Sequence, residues 1–211
     1  MKRVVLAALF AAVAVPAALA SNGEPQKAYT PADQAKAKRA SLRLSDFVAG
    51  WTSRPDTSKD GANPKCKTYD PDQSDLVETG KYNSPDFTHA GGSFVSTTTG
   101  VFKTAAMAKT GYARVAQPAL PKCFGELLGK QAKTTVYSAS AISFPKVGER
   151  SNAYRLQVGI AASPGKTVKA AIDFVLFNKG RTDVAIIFFG VGGALPSQLE
   201  QQAAALVASR A

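Results

Sequence analysis

Residues 152–177 have the sequence NAYRLQVGIAASPGKTVKAAIDFVLF, in which two runs of apolar residues alternate with other residues. A period of two residues is typical of β-strands that bury one face, so strands are predicted over Asn152–Ile160 and Thr167–Phe177. Pro164 and Gly165 lie between the two strands and are typical of the centre of a tight turn. The segment therefore predicts an antiparallel β-hairpin.

The apolar pattern also sets the register of this hairpin. Both apolar sets must face the same core, so core residues must pair with core residues, which requires a loop with an odd number of residues. A five-residue loop over Ala162–Lys166 then places Arg155 directly opposite Asp173 on the other face of the sheet. This attractive pair follows from a register derived from the core residues alone, which supports the register. The core pairs are Leu156 with Ile172 and Tyr154 with Phe174.

The rest of the chain adds strands and helices to the hairpin. Asp183–Phe189 is apolar on both faces, as in a covered central strand. Ser197-x-x-Glu200 forms a capping-box pattern at the start of a C-terminal helix. The other predicted elements are strands over Gly92–Val101 and Thr134–Phe144, and helices over Ala32–Arg43, Thr104–Ala116, the segment around Cys123 and Pro196–Ser209.

These elements predict an α+β fold, because strands and helices do not alternate as they do in a parallel sheet. The expected architecture is an antiparallel sheet of about five strands. Two helices are inserted after the first strand, and a C-terminal helix packs on one face. Residues 41–211 are expected to form this single domain, and residues 21–40 a flexible or helical leader.

Residues 1–20 have the pattern of a secretory signal peptide. Lys2 and Arg3 precede an apolar run of about 16 residues, shorter than the roughly 20 residues of a membrane-spanning helix. The run closes on Ala18-Leu19-Ala20, so cleavage is expected near Ala20-Ser21. A retained N-terminal anchor is the alternative. Cleavage would leave a protein that works outside the cytoplasm, secreted or in the cell envelope, without stable membrane insertion.

The chain is strongly basic. Its 26 basic and 15 acidic residues give a formal net charge of +11, and 14 basic against 5 acidic residues lie from Phe87 onward. This excess favours an anionic partner: an envelope polymer, an acidic lipid headgroup or a phosphorylated ligand. Solubility is the alternative explanation, because no three basic residues are consecutive. No interleaved pattern of aromatic and basic residues argues for a nucleic-acid partner.

Cys66 and Cys123 are the two cysteines of the chain. In an exported protein they predict one disulfide, which would tie an acidic loop to a helix. No metal site is predicted, because His89 is the single histidine and a zinc site would need further nitrogen or sulfur ligands. A histidine-dependent catalytic site would also have to use His89, which is predicted to lie in a loop before a strand.

The acidic region 56–86 raises two further hypotheses. Asp70-x-Asp72 resembles the opening of a calcium loop, although Asp75 and Lys81 stand where the glycine and the bidentate glutamate belong. Paired carboxylates of this region, with Asp72, Asp75 and Asp86 as the candidates, would be the residues of a hydrolase. Their spacing selects neither hypothesis, so no catalytic residue is assigned.

Two glycine-containing segments resemble nucleotide-binding motifs. Gly165-Lys166-Thr167 resembles the end of a P-loop, but Ile160 stands in place of the first glycine and a strand follows instead of a helix. Gly190-x-Gly192-Gly193 lies between a strand and a helix, but Leu195 replaces the third glycine of the dinucleotide fingerprint. A hairpin turn and a strand-to-helix turn are therefore the preferred interpretations. Anion binding at the helix N-terminus stays open at the second segment.

The order of several short segments resembles that of a known group of proteins. These segments are Leu44-Ser45-Asp46-Phe47-x-x-Gly50-Trp51, the loop with Cys66, Val101-Phe102-x-Thr104-Ala105-Ala106, and Pro118-x-Leu120-Pro121-Lys122-Cys123. Residues 42–211 resemble actinobacterial exported proteins of uncharacterised role. More distantly, they are similar to the extracellular sensor domains of Ser/Thr kinases and to related secreted lipoproteins. The resemblance implies a disulfide-containing α+β domain that binds a ligand in a cleft, and it brings no catalytic residues.

The sequence thus favours a secreted, non-catalytic, sensor-like domain that binds an anionic or envelope-derived ligand. It assigns no ligand-binding residue and no cofactor, and a monomer is expected. The alternatives are a secreted carboxylate-dependent hydrolase and a structural or protein-interaction module of the cell envelope.

Overall fold

A computed structural model describes residues 23–56, 63–131, 133–163 and 165–211. The predicted signal peptide lies outside the described residues. The strands are β1 (Gln26–Lys27), β2 (Trp51–Arg54), β3 (Val77–Asn83), β4 (Asp86–His89), β5 (Phe94–Phe102), β6 (Thr134–Ala141), β7 (Arg150–Ser163), β8 (Lys166–Lys179) and β9 (Thr182–Val191). The helices are α1 (Pro31–Ala40), α2 (Ala105–Val115), α3 (Leu120–Gly129) and α4 (Ser197–Arg210).

The strands form one mixed sheet, which confirms the α+β class. The strand order is β1-β3-β5-β9-β8-β7-β6, and β4 pairs with both β2 and β5. The prediction of about five strands in a purely antiparallel sheet is wrong, because the described residues form nine strands and β1 pairs with β3 in parallel. The five predicted strands correspond to β5 through β9. The two inserted helices therefore follow the fifth strand of the chain and not the first.

The predicted register of the β7–β8 hairpin is confirmed. Arg155 lies opposite Asp173, with Leu156 opposite Ile172 and Tyr154 opposite Phe174. The five-residue loop is wrong, because an irregularity between Ala161 and Ser163 lets pairing continue to Ser163 and Lys166. The predicted odd-length loop is therefore a bulge followed by a shorter turn, which leaves the core register unchanged.

Helices cover both faces of the sheet. On one face, α2 and α3 pack over β6–β9 around a core that includes Tyr154, Leu156 and Leu120. On the opposite face, α4 packs over a second core that includes Val175, Phe177 and Ile186. The predicted packing of the C-terminal helix on one face is therefore confirmed. Among the described residues, no helix is long and apolar enough to cross a membrane.

The segment predicted as a leader contributes β1 and α1 to this structure. Thr30 caps α1 by accepting a hydrogen bond from the Asp33 N–H at 3.2 Å, and Pro31 occupies the first helical turn. Asp33 places negative charge near the positive end of the helix dipole. The helix then packs on β3, β5 and α4 through its buried alanines Ala37 and Ala40.

Cys66 and Cys123 form the predicted disulfide, with 5.6 Å between their Cα atoms. Cys66 lies in the loop between β2 and β3, and Cys123 lies in α3. Tyr69, three residues after Cys66, donates its hydroxyl to the Val115 carbonyl at 2.8 Å. The loop is thus held against α3 by a covalent bond and against α2 by a part-buried hydrogen bond. The disulfide also fits an extracytoplasmic location.

Removal of the disulfide is expected to lower the free energy of unfolding. The bond closes a loop with a sequence separation of 57 residues. The C66S/C123S variant should therefore lose about 4 kcal/mol, through the greater freedom of its unfolded chain. Denaturant titration measures the loss, and reduced wild-type protein serves as the control that should match the variant. A loss below about 1 kcal/mol in both would show that the bond is energetically unimportant.

Candidate functional site

The two glycine-containing segments are turns, as predicted. Gly165 adopts a φ of 74° between β7 and β8, and the strand that follows it offers no helix N-terminus for a phosphate. Pro164 lies outside the described residues. Gly190 lies at the end of β9, where a Cβ atom would come within 2.2 Å of the Gly193 carbonyl oxygen. Glycine is thus required there by close packing of the backbone.

The acidic residues 70–86 are engaged in separate interactions. Asp70 forms an ion pair with Lys65 at 2.6 Å, Asp72 accepts the Ser74 N–H at 2.9 Å, and Asp75 binds Arg114. Asp86 lies on β4 opposite Arg54 of β2. The hydrolase candidates Asp72 and Asp75 are thus neighbours, whereas Asp86 belongs to a different strand pair. Among the described residues, no three His, Cys, Asp or Glu side chains are placed to hold a metal ion.

His89 ends β4 and contacts an aromatic ring and a backbone carbonyl. Its ring centroid lies 5.3 Å from that of Trp51, and its Nδ1 lies 3.1 Å from the Ala90 carbonyl oxygen. These contacts place the histidine at the rim of the core that includes Trp51. Neither of these contacts of His89 is with a serine or cysteine side chain that could act as a nucleophile.

A groove beside α1 is a candidate binding site that was not predicted from the sequence. We call it the α1 groove, and its volume is about 300 Å³. It is lined by Ala35, Lys38, Arg39, Leu42, Arg43 and Tyr82. The spacing of residues 35, 38 and 39 places them on one side of α1, Leu42 and Arg43 follow the end of the helix, and Tyr82 reaches the groove from β3. The sequence feature that could have indicated this groove is the pair of cations Lys38 and Arg39, three and four residues after Ala35 and before Leu42.

Three cationic side chains surround the α1 groove. The Lys38 ammonium lies 5.9 Å from the Tyr82 ring centroid, within range of a cation–π contact. The Arg43 guanidinium donates to the Arg39 carbonyl at 3.4 Å. Within the part of the chain that the structure describes, none of the three forms an ion pair with an acidic side chain.

The acidic residue next to the α1 groove is neutralised by another arginine. Asp46 accepts two hydrogen bonds from the Arg210 guanidinium, both at 2.7 Å, and one from the Arg43 N–H at 2.9 Å. Burial alone would raise the pKa of Asp46, but these hydrogen bonds hold it below its usual range. Asp46 thus binds the Arg210 guanidinium with its side chain and forms no ion pair with the cations of the groove.

A second ionic cluster is buried between the sheet and α4. Arg155 binds Asp173 through a forked pair of hydrogen bonds, one of them 2.7 Å long. Asp173 is fully buried, and Glu200 on α4 is only 2% exposed. The predicted capping box is wrong, because Pro196 is the N-cap and the Glu200 side chain is turned into the protein. One Glu200 oxygen, Oε1, has no hydrogen-bond partner among the described residues.

Burial raises the pKa of Glu200 to about 8, and the charge of Asp173 adds to the rise, whereas Arg155 opposes it. Burial likewise raises the pKa of Asp183 to about 8, despite the hydrogen bond that it accepts from Asn178 at 2.8 Å. Both carboxyls are therefore protonated in the folded protein at neutral pH. In the unfolded chain the same groups ionise near their ordinary pKa values.

The raised pKa values predict that stability falls toward alkaline pH. A folded-state pKa above the unfolded one gives stability that is present at acid pH and lost as pH rises through 8. Wild-type protein should lose up to about 1.4 kcal/mol per pH unit for each such group between pH 5 and 8. The E200Q variant should show a shallower fall, measured by denaturant titration at several pH values. The exposed E126Q variant on α3 is the control, and curves for E200Q and wild type that run parallel would contradict the prediction.

Comparison with known proteins gives little beyond the geometry. No family model matches the chain, and no curated protein matches it. The crystal structure of the extracellular domain of PknH from Mycobacterium tuberculosis aligns with a TM-score of 0.49 and 12% sequence identity. The alignment covers 86% of this chain and 98% of that domain. A likeness this low carries no argument.

Proposed function

We propose that this protein is a secreted, non-catalytic binding domain that holds an anionic ligand in the α1 groove. The observation that carries the proposal is that three cations without an ion-paired acidic side chain among the described residues, Lys38, Arg39 and Arg43, line one groove. Elsewhere in the described part of the chain, Arg150 on β7 has no such ion pair either, whereas four arginines bind acidic side chains: Arg114, Arg155, Arg181 and Arg210 pair with Asp75, Asp173, Asp33 and Asp46. Arg39 and Arg43 adjoin a groove and have no such partner among the described residues.

The chemistry of the α1 groove suits a carboxylate or a monoester of phosphate or sulfate. Guanidinium groups bind such anions with two parallel hydrogen bonds, and a lysine adds a point charge. The ring of Tyr82 gives the groove an apolar surface that would contact the organic portion of the ligand, whereas Leu42 is only 2% exposed and belongs to the core beneath it. A volume of about 300 Å³ is at the low end for small-molecule sites, which favours a compact ligand.

The proposal also covers the cellular location and the oligomeric state of the protein. The disulfide between Cys66 and Cys123 supports an oxidising compartment. The N-terminal pattern of residues 1–20 supports export by a signal peptide that is cleaved near Ala20-Ser21. We propose that the mature chain acts as a monomer, with the groove open to the extracytoplasmic medium.

The proposal predicts that the mature protein binds phenyl phosphate more tightly than inorganic phosphate. The K38A/R39A variant should bind phenyl phosphate roughly 100-fold more weakly or worse, because it removes two charged donors and each hydrogen bond to a charged group contributes about 1.5–3 kcal/mol. Isothermal titration calorimetry at low salt measures the two affinities.

The matched control for this experiment is K109A/K122A, which removes two exposed lysines from α2 and α3. It lowers the net charge equally but lies outside the α1 groove, so it should bind as wild type does. An equal loss in both double variants would assign the binding to net charge alone. Absence of phosphate-ester binding by the wild-type protein would refute the proposed site.

A further inference from the structure

The loop that follows α1 exposes apolar side chains next to the cations of the α1 groove. We call residues 41–50 the α1–β2 loop. Val48 at its tip is 77% exposed and Leu44 is 42% exposed, and Ala49 and Gly50 beside Val48 are also exposed. Singly exposed apolar side chains are common on soluble proteins, so these two indicate a role only together with the positive charge that accompanies them on the same short segment.

The loop that carries these exposed side chains is held in place by aromatic packing and hydrogen bonds. The Phe47 ring stacks on Trp51 with 4.7 Å between centroids and packs on Phe87 at 5.0 Å. The Phe47 N–H donates to the Leu44 carbonyl at 3.1 Å, and Asp46 is held by Arg210. Phe47 is therefore fixed in the aromatic cluster, and its neighbour Val48 is presented outward by a rigid turn.

The apolar tip lies close to positive charge. A turn joins Arg43 to Asp46, and Val48 follows Asp46 after one intervening residue, so the Arg43 and Val48 Cα atoms lie within roughly 14 Å of each other. Arg43 also lines the α1 groove beside Lys38 and Arg39. Asp46, the acidic residue of the loop, is compensated by Arg210. The surface thus combines two apolar side chains with at least three cations.

We infer that the α1–β2 loop docks on an anionic lipid surface. Val48 and Leu44 enter the headgroup region, while Lys38, Arg39 and Arg43 contact the lipid phosphates. The inference deepens the proposed function, on which it rests through these shared cations, and it adds the apolar tip as a separate requirement. Peripheral docking of this kind combines modest apolar insertion with electrostatic attraction.

A lipid surface fits this patch better than a protein partner does. A specific protein interface buries at least about 1,000 Å² around a central apolar cluster, whereas two apolar side chains on one turn supply much less. A lipid surface needs no shape complementarity, and its negative potential attracts a basic chain from a distance. The mature chain, which lacks Lys2 and Arg3, has 24 basic and 15 acidic residues, and its net charge of +9 is complementary to such a surface.

Vesicle binding by the mature full-length protein tests the inference. The probes are vesicles of phosphatidylcholine alone and vesicles that also contain phosphatidylglycerol. Wild-type protein should co-sediment with the second kind only. Trp51 is the single tryptophan of the chain and stacks on Phe47 of the loop, so brominated lipids should quench its fluorescence on binding. Binding without quenching would place another surface on the lipid and overturn the inference.

Paired variants separate the apolar tip from the cations. L44S/V48S should bind phosphatidylglycerol vesicles roughly tenfold more weakly, because partial burial of two apolar side chains is lost. It should bind phenyl phosphate as wild type does. The matched control Y137S/V191S removes two exposed large hydrophobic side chains elsewhere and should bind vesicles normally. K38A/R39A should weaken the binding of both vesicles and phenyl phosphate.

The outcomes distinguish this inference from the proposed function. Phenyl phosphate binding without vesicle binding, or vesicle binding that L44S/V48S leaves unchanged, would overturn lipid docking and leave the groove proposal intact. Vesicle binding that depends on the loop, in a protein that binds no phosphate ester, would support docking and refute the groove as a small-molecule site.

Discussion

Asp173 is fully buried in the middle of the sheet, and the forked guanidinium of Arg155 on the next strand neutralises it. A slip of one residue between β7 and β8 would move every apolar side chain of one strand to the other face. It would also leave the Asp173 carboxylate buried without a counter-ion, which is strongly unfavourable. The ion pair thus restricts the sheet to one register, and that register assigns residues to the two cores.

The same cluster connects the sheet to the candidate site. Glu200 meets Asp173 at the start of α4, which brings this helix onto the face shared with α1. The far end of α4 then carries Arg210 to Asp46, whose carboxylate also accepts the Arg43 N–H. The position of the α1–β2 loop therefore follows from the placement of α4 over the central strands. Because Arg210 binds Asp46, the Arg43 guanidinium at the groove forms no ion pair with an acidic side chain among the described residues.

The sequence predicts the centre of this fold better than its edges. β7 and β8 alternate strictly over many residues, so their register and the Arg155–Asp173 pair follow from periodicity alone. β3 has the sequence VETGKYN, in which Thr79 and Gly80 are buried because α1 packs there, so no alternation marks it. The role of Glu200 could not be predicted either. Its spacing from Ser197 satisfies a local capping pattern, but a long-range meeting with Asp173 determines where the side chain lies.

The α1 groove escaped prediction for a related reason. Lysines and arginines on an alanine-rich helix are ordinary solvent-exposed residues, and a sequence does not show which of them will have acidic partners. Pairing is decided by tertiary structure: Arg181 reaches Asp33 from 148 residues away, and Arg210 reaches Asp46 from 164. Once these pairs have formed, Asp33 on α1 and Asp46 in the loop after it are both bound to arginines from distant parts of the chain. The lack of an ion-paired acidic side chain at Arg39 and Arg43 is then a property of the folded protein, which is why it supports a binding site more strongly than net charge does.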